Sequence, residues 1–272
     1  MVPAAPDTLA GVCLLLFAWQ TEPSYPLMVA ANRDERLDRP ARSFCVMREH
    51  HPRMLGGLDD VAGGTWLATN EHGVVAGLTN RPAPGGRDPS KRTRGELPLL
   101  LAGHDTAAAG VETLVRRIRP GDYNPAWLLV GDRRSLFSIS LRPDEPVCVR
   151  QLAPGVHVLE NVPLGQPSAK VDHVNSLVEQ ASSSGGSLWG ALPSVLADHT
   201  LPADAGPDAF PDEAMTRPPA TLAACVHSDE FGTRSATLVR VPSATGAHPE
   251  MLVADGPPCT APFVDVTRRW TS

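Results

Sequence analysis

The residues of this chain able to perform acyl-transfer chemistry are one cysteine, three asparagines and a small group of charges. Cys13 stands at the front of an apolar run, Leu14-Leu15-Leu16-Phe17. Inside a chain, a cysteine on such a strand is a buried, inert thiol. At a chain start it carries both a thiol and a free α-amine. Their unperturbed pKa values, about 8.5 and about 7.7–8.0, are close enough for the amine to take the thiol proton, which activates an N-terminal nucleophile. Residues 1–12 are Pro/Ala-rich and show no pattern that folds. The reading adopted is that the mature protein begins at Cys13 and that 1–12 is a non-native or cleaved extension. Val is the literal reading of GUG, an alternative start codon, so translation from Val12 followed by loss of the initiating residue is one route to that end. Proteolytic removal is the other.

Asn32, Asn80 and Asn161 each stand where an apolar strand meets a Gly/Pro-containing connection. Asn is an ordinary strand-end residue because it tolerates turns. The same amide can donate to a developing oxyanion or orient a substrate. Asp34, between Arg33 and Arg36, reads either as a solvated ion pair of little worth or, in a cleft, as the partner of an N-terminal amine. Arg234, in Gly232-Thr233-Arg234-Ser235, is a turn arginine or a bidentate ligand for a carboxylate or phosphate. His50, His51 and His227 offer a Cys–His pair, but nothing in the sequence places them near Cys13.

These side chains need elements to position them. Residues 13–19 and 26–31 read as strands around a polar turn, with Asn32-Arg33-Asp34-Glu35-Arg36 following at the strand end. Residues 36–62, with Pro40, Pro52 and Gly56-Gly57, read as an irregular surface region lining a cleft. Residues 63–69 and 74–80 read as a hairpin around Asn70-Glu71-His72-Gly73. Residues 83–92 are a Pro/Gly/Arg-rich connection. Helical spacing runs over 94–102, 107–119, 168–182 and 188–196, and short strands over 126–130, 135–140, 147–151 and 156–160. Residues 199–219 read as an acidic loop, 221–227 and 234–241 as strands, and 250–254 as a last strand. The order strands, helices, strands, helices, strands predicts a layered α+β domain with two antiparallel sheets. No linker divides 13–272, which reads as a single domain.

Composition narrows the function classes. Of 272 residues, 42% are hydrophobic and 20% charged, ordinary for a globular protein. A net charge of −6 leaves no electrostatic footprint for nucleic acid. No apolar run reaches the ~18–20 residues of a membrane span, so no stable membrane insertion is expected. Five scattered cysteines without a CxxC motif suggest reduced thiols in a cytoplasmic compartment. Their spacing points away from a zinc site, and no metal or cofactor is expected.

Six motifs carry a resemblance. Cys13-Leu14-Leu15-Leu16-Phe17, Ala30-Ala31-Asn32-Arg33-Asp34-Glu35, Gly64-Thr65-Trp66-Leu67-Ala68, Gly77-Leu78-Thr79-Asn80-Arg81, Arg94-Gly95-Glu96-Leu97 and Gly232-Thr233-Arg234-Ser235 fall in order along the chain. Together they resemble the NRDE-motif family, also known as the transport and Golgi organisation protein 2 family. That family is in turn similar to N-terminal-nucleophile (Ntn) hydrolases of the bile-salt hydrolase and penicillin V acylase type. The resemblance implies a four-layer αββα sandwich, two antiparallel sheets flanked by helices. It implies Cys13 as nucleophile and base, Asp34 as the partner of the amine, Asn80 as an oxyanion donor and Asn161 as a substrate-orienting amide. Asn32, Arg33, Glu35, Arg81 and Arg234 would form a ligand-binding rim. The arginine those hydrolases carry two residues before the Asn position is replaced here by Ala30, and Arg33 is the substitute on offer. Two activities follow from the resemblance: hydrolysis of an amide or thioester acyl bond, or non-catalytic binding of a small acyl ligand such as acyl-CoA, or of haem, in trafficking.

Overall fold

The computed structural model describes residues 13–83, 86–202 and 219–272. The extension 1–12 and most of the acidic stretch 199–219 lie outside the described residues, as do Pro84 and Gly85 of the Arg-rich connection.

The strands form two antiparallel sheets. β1 (Leu14–Trp19), β2 (Leu27–Arg36), β10 (Gly155–Leu159), β11 (Phe231–Val241), β12 (Glu250–Ala254) and β13 (Val264–Asp265) make a six-stranded sheet in the order β10-β1-β2-β11-β12-β13. β3 (Ala41–Arg48), β4 (Met54–Asp59), β5 (Leu67–Asn70), β6 (Val75–Asn80), β7 (Ala126–Gly131), β8 (Leu136–Leu141) and β9 (Cys148–Gln151) make a seven-stranded sheet in chain order. Among the described residues four α-helices accompany them: α1 (Glu96–Leu101), α2 (Ala107–Arg117), α3 (Ala169–Ser183) and α4 (Leu188–Leu196). Thr106, Ser168 and Ser187 cap α2, α3 and α4 by accepting from a backbone N–H three residues on.

Burial sorts these elements into four layers. β1 is buried along its whole length because both its faces are covered. Successive strand side chains point to opposite faces, so Leu15 and Phe17 pack between the sheets with Val29, Leu67, Val75 and Leu129. Leu14 and Leu16 face the other way, onto Val174 and Val178 of α3 and Leu192 and Leu196 of α4. On the far side, Ala76, Leu128 and Val130 meet Leu97 and Leu101 of α1 and Val111 and Leu114 of α2. Each buried Leu or Phe contributes roughly 1.5–3 kcal/mol. The result is an α+β sandwich in αββα order, as the resemblance implied.

Three segments differ from their sequence reading. Residues 36–62 are not irregular but supply β3 and β4 at one end of the seven-stranded sheet. Gly56-Gly57, which reads as a breaker, lies inside β4 because other groups press on it. A Cβ on Gly57 would fall 2.0 Å from the Trp66 ring, and one on Gly56 would fall 2.4 Å from Leu67 O; strand glycines mark such close approaches. Residues 221–227 are not a strand: a short 3-10 turn, Pro219–Leu222, leads into a segment with one isolated bridge, His227 to Gly232. β2 does not stop at 31 but continues to Arg36, so the polar cluster lies within a strand.

Candidate active site

That extension of β2 decides where the polar cluster points. Asn32 and Asp34 share one face of the strand and Arg33 and Glu35 the other. Leu14 of β1 pairs with Asn32, which sets Cys13 beside Arg33 and Asp34. Cys13, Arg33, Glu35, Trp66, Asn80 and Arg81 line one cleft of about 140 Å³ together with the 92–95 and 124–125 segments.

Cys13 is buried at the inner end of this cleft. Burial, and after it the Asp34 carboxylate, push its thiol up to about 12; the Arg33 guanidinium and the backbone N–H of Asp34 pull the other way. A thiol held so high is protonated at neutral pH and is a poor nucleophile without a base.

Asp34 is fully buried. It accepts from Thr233 Oγ1 at 2.6 Å and lies 3.5 Å from Lys170 Nζ. Burial raises its carboxyl to about 6, with Lys170 and Thr233 opposing and Glu160 adding to the rise. Lys170 is itself completely buried and donates to Thr221 O at 3.3 Å. The sequence reading assigned no role to this lysine. Its spacing held the signal: Lys170 stands on the buried stripe of α3 with Val174 and Val178, at i, i+4 and i+8.

Asn80 ends β6 and lines the cleft. Asn161 holds it from behind, donating from Nδ2 to Asn80 O at 2.7 Å, and is not among the residues lining the cleft. Thr79 Oγ1 donates to Glu160 O at 2.8 Å. These two hydrogen bonds join the end of β6, in one sheet, to the end of β10, in the other. Glu160 also accepts from Ser168, the cap of α3.

The cleft walls are cationic. Arg33 lies 4.5 Å over the Trp66 ring and 3.9 Å from Glu35. Arg39 binds Asp59 at 2.8 Å and approaches Glu35 at 3.7 Å. Arg81 stacks on Trp127 at 5.1 Å, and Arg94 donates to Pro125 O at 3.1 Å. With Arg87 and Arg92, six guanidinium groups line the cleft, against the carboxylates of Asp34, Glu35 and Asp59.

Two residues of the sequence-derived rim are placed elsewhere. Asn32 turns to the helix layer, where its Nδ2 donates to Leu196 O and Ala224 O at 2.9 and 2.8 Å. Strand alternation alone separates it from Arg33. Arg234 donates to the carbonyls of Arg36, Leu37 and Arg39 and pins the turn between β2 and β3. Its guanidinium is occupied by backbone and does not line the cleft. His50, His51 and His227 do not line it either. Among the described residues no helix is long and apolar enough to cross a membrane.

The chain is similar to known proteins. It is 29% identical over 258 residues to the bovine (Bos taurus) Transport and Golgi organization protein 2 homolog, covering 85% of this chain and 88% of that protein. A mouse (Mus musculus) homolog of the same name is 37% identical over 93 residues, 32% of this chain and 33% of the other. Among solved structures, penicillin V acylase from Agrobacterium tumefaciens aligns over 94% of this chain and 87% of its own, with 13% identity and a TM-score of 0.48. The family model described as Transport and Golgi organisation 2 matches residues 12–248, from the residue before Cys13 past the end of β11, and by that match the chain belongs to the Transport and Golgi organisation 2 family.

Proposed function

We propose that this protein is a cysteine-dependent hydrolase of an amide or thioester acyl bond in a small substrate that carries an anionic group, and that its active form begins at Cys13. The observation that carries the proposal is the position of Cys13. It opens on a cleft with Asn80 on one side and Arg33 on the other, and Asp34 lies behind it. With the preceding residues gone, the new α-amine faces the Asp34 carboxylate. It takes the Cys13 proton as Sγ forms a bond to the acyl carbon. Asn80 donates to the oxyanion. The C–N or C–S bond then breaks, and the amine or thiol leaves with the proton held by the α-amine. Water, deprotonated by the same amine, cleaves the thioester to a carboxylic acid and restores the thiol.

Arg33 stacked on Trp66, with Arg81 and Arg94 further out, suits the phosphates of an acyl-CoA. The same arginine-lined wall supports a second reading, binding of acyl-CoA or of haem through its carboxylates without cleavage. The scattered, unpatterned cysteines of the sequence support a reducing, cytoplasmic compartment for either role.

Incubating acyl-CoA and N-acyl substrates with protein beginning at Cys13, and with its Cys13→Ala variant, tests the first reading. Turnover should be lost in the variant while ligand affinity stays within a few-fold. Equal turnover by the variant would refute it. Saturable binding of acyl-CoA or haem by both forms, with no product from either, would establish the second.

A further inference from the structure

A second constellation lies on the helix-covered side of the six-stranded sheet, built from residues outside the cleft. His199 follows α4, Cys225 and His227 precede β11, and Cys259 follows β12. One nitrogen or sulfur of each lies within 4.8 Å of those of the other three. Cys225 Sγ is 3.8 Å from Cys259 Sγ. His227 Nε2 is 3.6 Å from the first sulfur and 3.3 Å from the second.

These spacings match the edges of a metal tetrahedron. With Zn–S of about 2.3 Å and Zn–N of about 2.0–2.1 Å, a tetrahedral ion sets its sulfurs about 3.8 Å apart and its sulfur–nitrogen pairs about 3.6 Å apart. A disulfide needs its sulfurs about 2.05 Å apart, far closer than these stand. The His199 ring is also oriented for the purpose. Its Nδ1 lies 3.1 Å from Cys225 O, the arrangement in which a backbone carbonyl takes one ring N–H and leaves Nε2 to bind. The His199 and His227 rings are 4.9 Å apart between centroids.

We propose that His199, Cys225, His227 and Cys259 bind one zinc ion in a closed Cys2His2 site. Two thiolates and two imidazoles suit Zn2+ over the hard cations that prefer oxygen. All four positions come from the chain, so the site is structural. Binding replaces the two thiol protons, which pass to solvent, and involves no change in oxidation state. The linear spacing of the cysteines, which points away from zinc, misses the site because the ligands come from three separate segments.

The ion ties the end of α4, the segment before β11 and the loop after β12 to one another. The middle segment is the one that supports Asp34. Ala224 O accepts from Asn32 at 2.8 Å and Val226 O accepts from Thr233 N at 2.8 Å. Val226 N donates to Thr233 Oγ1 at 2.9 Å, and that hydroxyl donates on to Asp34. Zinc therefore holds in place the backbone that orients the carboxylate behind Cys13.

The test uses the full chain, reduced, loaded with zinc and passed through a metal-free column, with metal content measured by mass spectrometry. About one zinc per chain is expected, and cobalt(II) in its place should show the charge-transfer and d–d bands of a tetrahedral thiolate site. Cys259 is exposed, so Cys259→Ser should fold as the parent does by circular dichroism while binding zinc at least about 100-fold more weakly. Zinc should raise the Tm of the parent and not of the variant. Should Cys259→Ser fail to fold, His227→Ala, also at an exposed position, supplies the same readout. A parent that retains no zinc, a variant that binds it as tightly as the parent, or native protein holding a Cys225–Cys259 disulfide without metal would each overturn the proposal.

Discussion

Lys170 and Asp34 form the most consequential pair of charges in the molecule. Neither is solvent-exposed, and they lie 3.5 Å apart. A buried pair adds little net stability over an apolar replacement, but removing one partner strands the other at a cost of about 3–5 kcal/mol. Lys170→Met should therefore destabilise the fold by about that much in urea denaturation. Asp34→Asn with Lys170→Met should recover most of the loss, giving a coupling energy well above the ~0.5 kcal/mol scatter of independent sites. The pH dependence has a definite sign. Burial raises the Asp34 carboxyl from 3.8 to about 6. Its favourable contribution is thus complete below 3.8 and is lost as the pH rises through about 6. Across that window the parent should lose stability relative to Asp34→Asn by at most about 1.4 kcal/mol per pH unit. Equal slopes for the two proteins would contradict the buried, proton-favouring setting of this carboxyl.

At the scale of elements, the cleft depends on backbones in unusually close contact. The Gly64-Thr65-Trp66 and Arg94-Gly95-Glu96 motifs lie far apart in the chain and touch in the fold. Thr65 N donates to Gly95 O at 2.9 Å. A Cβ on Gly95 would fall 2.8 Å from Thr65 N, and one on Gly64 would fall 2.6 Å from Gly95 Cα. Both obstacles are backbone, so the segments must part to admit a methyl group. Gly95→Ala should cost about 1–3 kcal/mol, as overpacking does, and should weaken ligand binding by moving Arg94 and Trp66; chemical denaturation and titration measure the two effects. The helices, the β5–β6 hairpin and the β7–β8–β9 meander were legible in the sequence because their apolar periodicity is local; β10 was legible as a strand, but it pairs with β1 in the other sheet. β3 and β4 were not. The residues of β3 are half-buried or exposed and alternate weakly, and the glycines of β4 are required by Trp66 and Leu67, which no local pattern reveals. The run 221–227 misled in the opposite sense: it is apolar because it is buried, Ala224 against the helix layer and Val226 against Phe231, not because it pairs as a strand.

For the whole molecule, two expectations follow from the active form and the cleft charge. Intact-mass measurement of protein from its native host should give a chain beginning at Cys13; a mass that includes residues 1–12 would remove the free amine and, with it, the mechanism. Affinity for an acyl-CoA or another multiply charged anion should fall as salt is raised, since six arginines line a cleft in a protein of net charge −6. A salt-independent affinity would assign binding to the apolar walls instead. Zinc content belongs at this scale as well, because the ion would join segments that leave three different elements.

The sequence by itself determined the layered α+β class and the αββα family resemblance. It also singled out Cys13, Arg33, Asp34, Asn80 and Arg81, which the structure places in or beside one cleft. These were readable because strand and helix periods, and short motifs at strand ends, are properties of neighbouring residues. Tertiary structure alone decided the rest. Strand alternation along an extended β2 sent Asn32 to the helix layer and left Arg33 at the cleft. The turn after β2 captured Arg234. Packing of α3 brought Lys170 to Asp34, and three distant segments brought two histidines and two cysteines together. In each case the decisive contact joins separate segments of the chain or depends on which face a side chain takes, and neither is encoded in local spacing.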